Sequence, residues 1–367
     1  MYFMQRALHL AQQALGNTNP NPAVGAVVVQ GKNIVGEGFT QPPGQDHAEV
    51  VALRQAGRLA HGATLYVTLE PCVHQGRTPP CTDAIIQAGI REVHYSVKDP
   101  NPIVNGVGEQ QLKEAGIQVI VGEEADASQK LNEAYNKFIT TGLPFVTAKF
   151  ATSLDGKIAT NTGDSKWITS ELARREAHRI RAMSDAVIVG IGTVLIDDPQ
   201  LTARDEADQP LEQQPLRVVI DSQGRIPPGA RLLQEPGRTL IATAIVNEDE
   251  SKTISGPRIE TISTPNKSGT VDLRALLANL GQAGITNVMV EGGSAILGSL
   301  FDEHLVDKVV AFIAPVIIGG QQAKTSVSGL GAKTMEHALR LRNVSIHEIG
   351  PDIMVIGYPR PGSDQSE

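Results

Sequence analysis

Short, valine-rich apolar runs alternate along this chain with stretches whose apolar residues recur at helical spacing. That alternation restricts it to α/β folds, in which helices cover a sheet. Residues 1–15 place Phe3, Met4, Ala7, Leu8, Ala11 and Leu15 on one helical face, residues 23–29 suit a strand, and Gly31-Lys32 turns the chain back to Ile34-Val35. The pattern predicts helices over 47–56, 82–88, 109–115 and 127–140, and strands over 64–70, 93–97 and 118–121. Thr141-Gly142-Leu143-Pro144 is a helix stop followed by a new start, so a domain boundary is expected there, giving domains at 1–142 and 143–360 and a tail at 361–367. Beyond the boundary, strands are expected at 145–154, 186–189, 217–220, 240–243, 288–291 and 308–314. Helices are expected at 171–181, 273–283 and 295–300, and a surface loop at 204–215. A length of 367 residues agrees with two cores.

Charge and hydropathy remove several function classes. A net charge of -8 and an aromatic content of 4% oppose a nucleic-acid surface. No run approaches the roughly 20 apolar residues that span a bilayer, and the N-terminus lacks a secretory h-region, so a cytoplasmic protein without membrane attachment is expected. In that compartment the two cysteines, Cys72 and Cys81, are thiols and candidate ligands, although one disulfide between them is the alternative.

His47 and Glu49 open a predicted helix, Cys72 follows a predicted strand after Pro71, and Cys81 starts another helix. One imidazole and two thiolates form a three-ligand zinc set whose fourth position stays open to water, and the metal lowers the pKa of that water to about 7. Glu49 lies in the H-x-E arrangement of zinc deaminases, free of the metal and able to move a proton to the departing amine. The usual deaminase spacing is P-C-x-x-C; here eight residues, with Gly76-Arg77-Thr78-Pro79-Pro80 among them, separate the cysteines. A structural zinc closed by His74 as a fourth ligand is a second reading of the same residues, and a deaminase acting on tRNA is a third.

Residues 21–25 (N-P-A-V-G), His47-Ala48-Glu49 and the long 70–81 segment closely resemble the bifunctional riboflavin-biosynthesis deaminase-reductases. The resemblance implies a cytidine-deaminase-like zinc domain acting on a free phosphorylated pyrimidine, 2,5-diamino-6-(5-phosphoribosylamino)pyrimidin-4-one, whose 2-amino group is replaced by oxygen. Asn21, His74 and Arg77 then become substrate-contact candidates.

The second half carries no G-x-G-x-x-G; Gly190-Ile191-Gly192 is the nearest approach. Glu291-Gly292-Gly293-Ser294 lies between a predicted strand and helix, where backbone N–H groups can reach a phosphate. Residues 150–159 (F-A-T-S-L-D-G-K-I-A), 165–170 (S-K-W-I-T-S) and 290–293 (V-E-G-G) resemble the reductase half of the same family. This implies a dihydrofolate-reductase-like fold and NADPH-dependent reduction of the ribosyl group to ribityl. By the same resemblance Ala151, Trp167, Thr193, Asp197, Gly293, Ser294, Ala295, Ile296, Leu297, Gly298 and Ser299 match cofactor contacts. Ser165, Arg181, Leu201, Arg204 and Glu291 match substrate contacts. Arg181 and Arg204 can take a phosphate in forked hydrogen bonds, and Trp167 can cover an apolar cofactor face. Asp155 and Lys149 are candidate proton donors. Self-association through the reductase half, with a dimer favoured, is implied as well.

Overall fold

The computed structural model describes residues 2–73, 75, 79–246 and 256–360. The chain divides into two compact units, Met1–Leu143 and Pro144–Glu367, and each is described by itself.

The first unit runs α1 (Tyr2–Gln12), β1 (Gly25–Gln30), β2 (Asn33–Phe39), α2 (Ala48–Ala56), β3 (Thr64–Leu69), α3 (Cys81–Gln87), β4 (Glu92–Val97), α4 (Val107–Glu114), β5 (Gln118–Val121), α5 (Ala125–Leu131) and α6 (Glu133–Thr141). Among the described residues its sheet has the order β2-β1-β3-β4-β5. β1 is antiparallel to β2 and β3, while β3, β4 and β5 are parallel. The valines of β1 serve two cores: Val28 packs with Ala48, Ala52 and Leu65 on one face, and Val27 and Val29 pack with Met4, Ala7 and Leu10 on the other. β-branched residues with both faces covered form such a strand because alternation sends successive side chains to opposite layers. Gly36 and Gly38 let α2 lie against β2, since a Cβ on either would stand 2.1 Å from Ala52 O or 2.4 Å from Ala48 O. The close approach fixes α2, and with it His47 and Glu49.

Two expectations are corrected here. The first helix ends at Gln12, three residues before the expected stop. The helix expected over 127–140 is two, because Asn132 leaves helical geometry (φ -103°, ψ 23°) while its side chain accepts from Ala23 N–H (2.8 Å) and donates to Ala23 O (3.0 Å). A pair of hydrogen bonds to a distant backbone outweighs one helical turn.

The second unit runs β6 (Phe145–Ser153), α7 (Glu171–Ala182), β7 (Ala186–Gly190), α8 (Ile191–Asp197), β8 (Leu216–Ile220), α9 (Arg231–Gln234), β9 (Thr239–Thr243), β10 (Ile259–Ser263), α10 (Leu273–Gln282), β11 (Asn287–Val290), α11 (Ser294–Asp302), β12 (Lys308–Ala314), β13 (Leu341–Ile349) and β14 (Asp352–Pro359). The strand order among the described residues is β10-β9-β8-β7-β11-β6-β12-β14-β13. Every pair from β10 to β12 is parallel, and β14 and β13 add antiparallel neighbours. The carboxyl ends of β7, β11 and β6 therefore lie side by side, the place where open α/β sheets bind ligands. The sequence pattern missed α8, α9, β10, β13 and β14. The outer strands β10 and β13 carry mostly exposed residues and so lack the apolar signature of a core strand.

Candidate active sites

In the first unit three element ends meet. His47 is the extended residue before α2 (φ -74°, ψ 162°), Cys72 follows β3, and Cys81 is the first residue of α3. His47 Nδ1 lies 3.2 Å from Cys81 Sγ and 3.5 Å from Cys72 Sγ. All three ligand atoms fall within 4.8 Å of one another. A tetrahedral zinc with bonds of 2.0–2.3 Å sets nitrogen and sulfur about 3.6 Å apart, so the donor set fits that metal in both chemistry and spacing. Both cysteines are free thiols rather than a disulfide. The hydrogen bond from Cys81 pulls the Cys72 thiol down to about 4, and the return bond pushes Cys81 up.

Glu49, 4% exposed, sits on the first turn of α2. Burial, and secondarily the Cys72 thiolate, push its carboxyl up to about 7. Asn21 lies in the turn before β1, its backbone N–H donating to Thr18 O at 2.8 Å. His74 and Arg77 lie outside the described residues.

Glu70, the first residue of the 70–81 segment, has a role that the sequence pattern does not assign. Its buried carboxylate accepts backbone N–H groups of Asp99 (3.3 Å), Gly106 (3.0 Å) and Glu109 (3.1 Å), which fixes the 99–109 segment behind Cys72. Asp99, also buried, accepts from Tyr135 Oη at 2.9 Å. The available signal was a carboxylate placed between an apolar strand and Pro71-Cys72.

In the second unit the carboxyl ends of β6, β7 and β11 open into a cleft of about 920 Å³. Its lining includes Ala151, Trp167, Thr193, Asp197, Gly293, Ser294 and Leu297 of the expected cofactor set, and Ser165, Arg181, Leu201, Arg204 and Glu291 of the expected substrate set. Ala295, Ile296, Gly298 and Ser299 do not line it. Only the i, i+3 face of α11, Ser294 and Leu297, turns inward. Ile296 packs toward Gly190 and the core, and a Cβ on Gly298 would stand 2.2 Å from Ser328 O.

Thr193 Oγ1 accepts from Gly293 N–H at 3.0 Å, and Gly292 takes φ +110°, so the chain enters α11 with its first N–H groups facing the cleft. Trp167 is 69% exposed, with the Arg174 guanidinium 4.5 Å above its ring. Ser165 Oγ donates to Asp197 Oδ1 at 3.0 Å. A long cleft lined by the N-terminus of α11 and by a largely exposed indole suits an extended phosphorylated cofactor.

The two arginines differ from expectation. Arg181, 8% exposed, turns its fork onto Glu291 (Nε to Oε1 2.5 Å, Nη2 to Oε2 2.9 Å), and its Nη1 donates to Thr202 O at 2.6 Å. Arg204 is engaged in its own loop, by Asp208 and Gln200. Neither fork points a free pair of N–H groups into the cleft. Glu291 also faces Lys149 Nζ at 3.6 Å, and the Arg181 and Lys149 charges overcome burial to hold its carboxyl down at about 2. Burial, followed by the Arg181 charge, lowers the Lys149 ammonium and takes the His178 imidazole down to about 4. His178 and Thr202 line the cleft and were missed. Asp155 lies off the cleft lining; its carboxylate accepts from Ser153 Oγ, Ile318 N–H and Gly319 N–H, which hold it down at about 2. An acid that strong is ionised at neutral pH, so the expected proton-donor role is corrected.

The chain matches two family profiles, the cytidine and deoxycytidylate deaminase zinc-binding region over residues 1–97 and the RibD C-terminal domain over residues 144–355. It is 43% identical to the riboflavin biosynthesis protein RibD of Aquifex aeolicus (strain VF5), over 96% of each chain. It is 43% identical to that of Escherichia coli (strain K12), over 96% of this chain and 97% of the other. Among solved structures, Acinetobacter baumannii RibD superposes with a TM-score of 0.88 at 39% identity, covering 98% of both chains. A Thermotoga maritima diaminohydroxyphosphoribosylaminopyrimidine deaminase / 5-amino-6-(5-phosphoribosylamino)uracil reductase superposes at 0.85 and 38%, again over 98% of both.

Proposed function

Because the chain belongs to the RibD family of bifunctional riboflavin-biosynthesis proteins, we propose that it performs two consecutive reactions on one phosphorylated pyrimidine. Its first half is a cytidine-deaminase-like zinc hydrolase and its second a dihydrofolate-reductase-like, NADPH-dependent oxidoreductase. Residues 1–142 take 2,5-diamino-6-(5-phosphoribosylamino)pyrimidin-4-one and water to 5-amino-6-(5-phosphoribosylamino)uracil and ammonia. Residues 143–360 then reduce the ribosyl group to ribityl. The observation that carries the first reaction is the convergence of His47, Cys72 and Cys81 beside the buried Glu49.

His47, Cys72 and Cys81 would hold zinc, which supplies Lewis acidity that makes water a nucleophile at neutral pH. Glu49 accepts the proton that water loses and returns it to the exocyclic nitrogen, so that ammonia, not amide, departs. Asn21, His74 and Arg77 are assigned to the pyrimidine and its phosphate. In the second half NADPH supplies the hydride. The C1′–O4′ bond of the sugar opens, C1′ takes the hydride, and the ring oxygen takes a proton, which leaves a ribityl chain. Lys149 is the proton-bearing group assigned to that oxygen: it is partly buried, lines the cleft, and is oriented by Glu291. Ser165, Arg181, Leu201, Arg204 and Glu291 are assigned to the substrate; Ala151, Trp167, Thr193, Asp197, Gly293, Ser294 and Leu297 are assigned to the cofactor.

The partner is a small molecule, not nucleic acid or a lipid bilayer. No helix among the described residues is long and apolar enough to cross a membrane. Thiol ligands suit a reducing cytoplasm. A homodimer through the second half is supported by Val344 and Ile346, apolar and exposed on the outer strand β13. Zinc-loaded protein given the diaminopyrimidine ribonucleotide without NADPH should release ammonia and stop at the phosphoribosylaminouracil. Release from a tRNA substrate instead would replace this reading.

A further inference from the structure

Two carboxylates outside the assigned machinery share an unusual geometry. Asp155, just past β6, accepts the consecutive backbone N–H groups of Ile318 (Oδ1, 3.1 Å) and Gly319 (Oδ2, 2.7 Å). Asp302, the last residue of α11, accepts those of Leu330 (Oδ2, 2.7 Å) and Gly331 (Oδ1, 3.3 Å). Each carboxylate thus grips one end of the same segment, 318–331, which has no helix or strand of its own among the described elements.

Between the grips the segment runs along the wall of the reductase cleft. Ile158 N–H donates to Lys324 O (2.9 Å), Val327 packs on the main core, and Ser328 N–H donates to Ser294 O (3.1 Å). Ser326 itself lines the cleft beside Ser294. Gly298 admits the segment against α11, and Gly329, with φ +100°, would place a Cβ 2.5 Å from Asp302 Oδ2. Apart from one isolated antiparallel bridge, Lys157 to Thr325, the segment has no strand pairing among the described residues, so its shape depends on how its ends are fixed, and a carboxylate that accepts two adjacent amides fixes both position and direction.

We propose that Asp155 and Asp302 are positioning residues that anchor the 318–331 strap at both ends, so that Ser326 and the N-terminus of α11 form one continuous wall of the cofactor cleft. The inference rests on the NADPH-reductase reading for its kinetic consequence but not for the strap itself, and the test separates the two.

The variants are Asp155→Asn and Asp302→Asn, in the full chain loaded with zinc. The first readout needs no activity: limited trypsin cleavage after Lys324, an exposed residue in mid-strap, should accelerate about tenfold in each variant, the effect of losing a charge-assisted contact. Saturating NADPH should slow it again. The second is the KM for NADPH, expected to rise about tenfold while kcat changes little, because cofactor binding must then order the strap. Ammonia release from the same preparations should equal the parent's, which reports a folded first half, and the retained kcat for NADPH oxidation reports a folded second half. Asp155→Glu keeps the acceptor and should recover much of the protection. Cleavage and KM both within twofold of the parent would overturn the proposal, as would faster cleavage with an unchanged KM. If the parent itself neither oxidises nor binds NADPH while the variants still cleave faster, the reductase reading fails and the anchoring stands.

Discussion

Replacing Glu291 by Gln keeps the shape of the side chain and removes the charge that the buried Arg181 and the partly buried Lys149 face. Arg181 meets Glu291 through two hydrogen bonds of 2.5 and 2.9 Å, and Lys149 approaches at 3.6 Å. The carboxyl is held down at about 2, against an ordinary value near 4.3, and a shift of that size corresponds to roughly 3 kcal/mol of native-state preference for the charged form. The measured cost of breaking a buried pair from one side is about 3–5 kcal/mol, so two independent routes agree on the scale. Urea unfolding followed by the fluorescence of Trp167, the only tryptophan and a reporter of the second half, should show the midpoint falling by about 1 M at an m-value of 2–3 kcal/mol/M. The sign with pH is also set. A carboxyl whose pKa falls on folding stabilises fully above its unfolded pKa, and that contribution is lost as pH drops from about 4.5 toward 2. The parent should therefore lose stability across that window, and the Gln variant should lose less. A Gln variant whose midpoint stays within experimental error of the parent would refute the reasoning, because Arg181 and Lys149 would then tolerate burial without a countercharge.

Glu49→Gln should keep zinc at the parent stoichiometry and lower ammonia release by about 10²–10⁴-fold, the usual worth of a general acid–base group, with reduction of pre-deaminated substrate unchanged. Cys81→Ser should lower zinc content after dialysis against a chelator, read by atomic absorption, since a hydroxyl replaces a buried thiolate. His178, whose imidazole stays neutral down to about 4, stabilises the second unit fully above its unfolded pKa near 6.5 and loses that contribution as pH falls to about 4. His178→Gln should flatten the stability profile in that window, and an unchanged slope would place the titration elsewhere.

The zinc site was legible because its members stand at the ends of regular elements, so local pattern places them: His47 before a helix, Cys72 after a strand, Cys81 opening a helix. The alternation of elements was legible wherever strands are buried on both faces, as in β1 and β7. It failed at β13, whose residues face outward, and at Asn132, where a side-chain pairing with Ala23 splits a helix that local propensity would continue. Roles that depend on a distant partner were not legible. Arg181 reads as a phosphate ligand until Glu291 is found across its fork, 110 positions away. Asp155 reads as a proton donor until the amides of Ile318 and Gly319 reach it. Glu70 stands in the same sequence motif as Cys72, yet its task is set by backbone groups 29 to 39 positions later.

The central claim is that one chain deaminates and then reduces the same pyrimidine ribonucleotide. The direct test is a paired assay on zinc-loaded protein: ammonia is followed after addition of the diaminopyrimidine ribonucleotide alone, and NADPH oxidation after the cofactor is added to the same cuvette. Ammonia should appear first and stoichiometric NADPH oxidation second, with NADPH untouched when Glu49→Gln protein receives the diamino compound. NADPH oxidation at the full rate by that variant, before any ammonia appears, would contradict that claim.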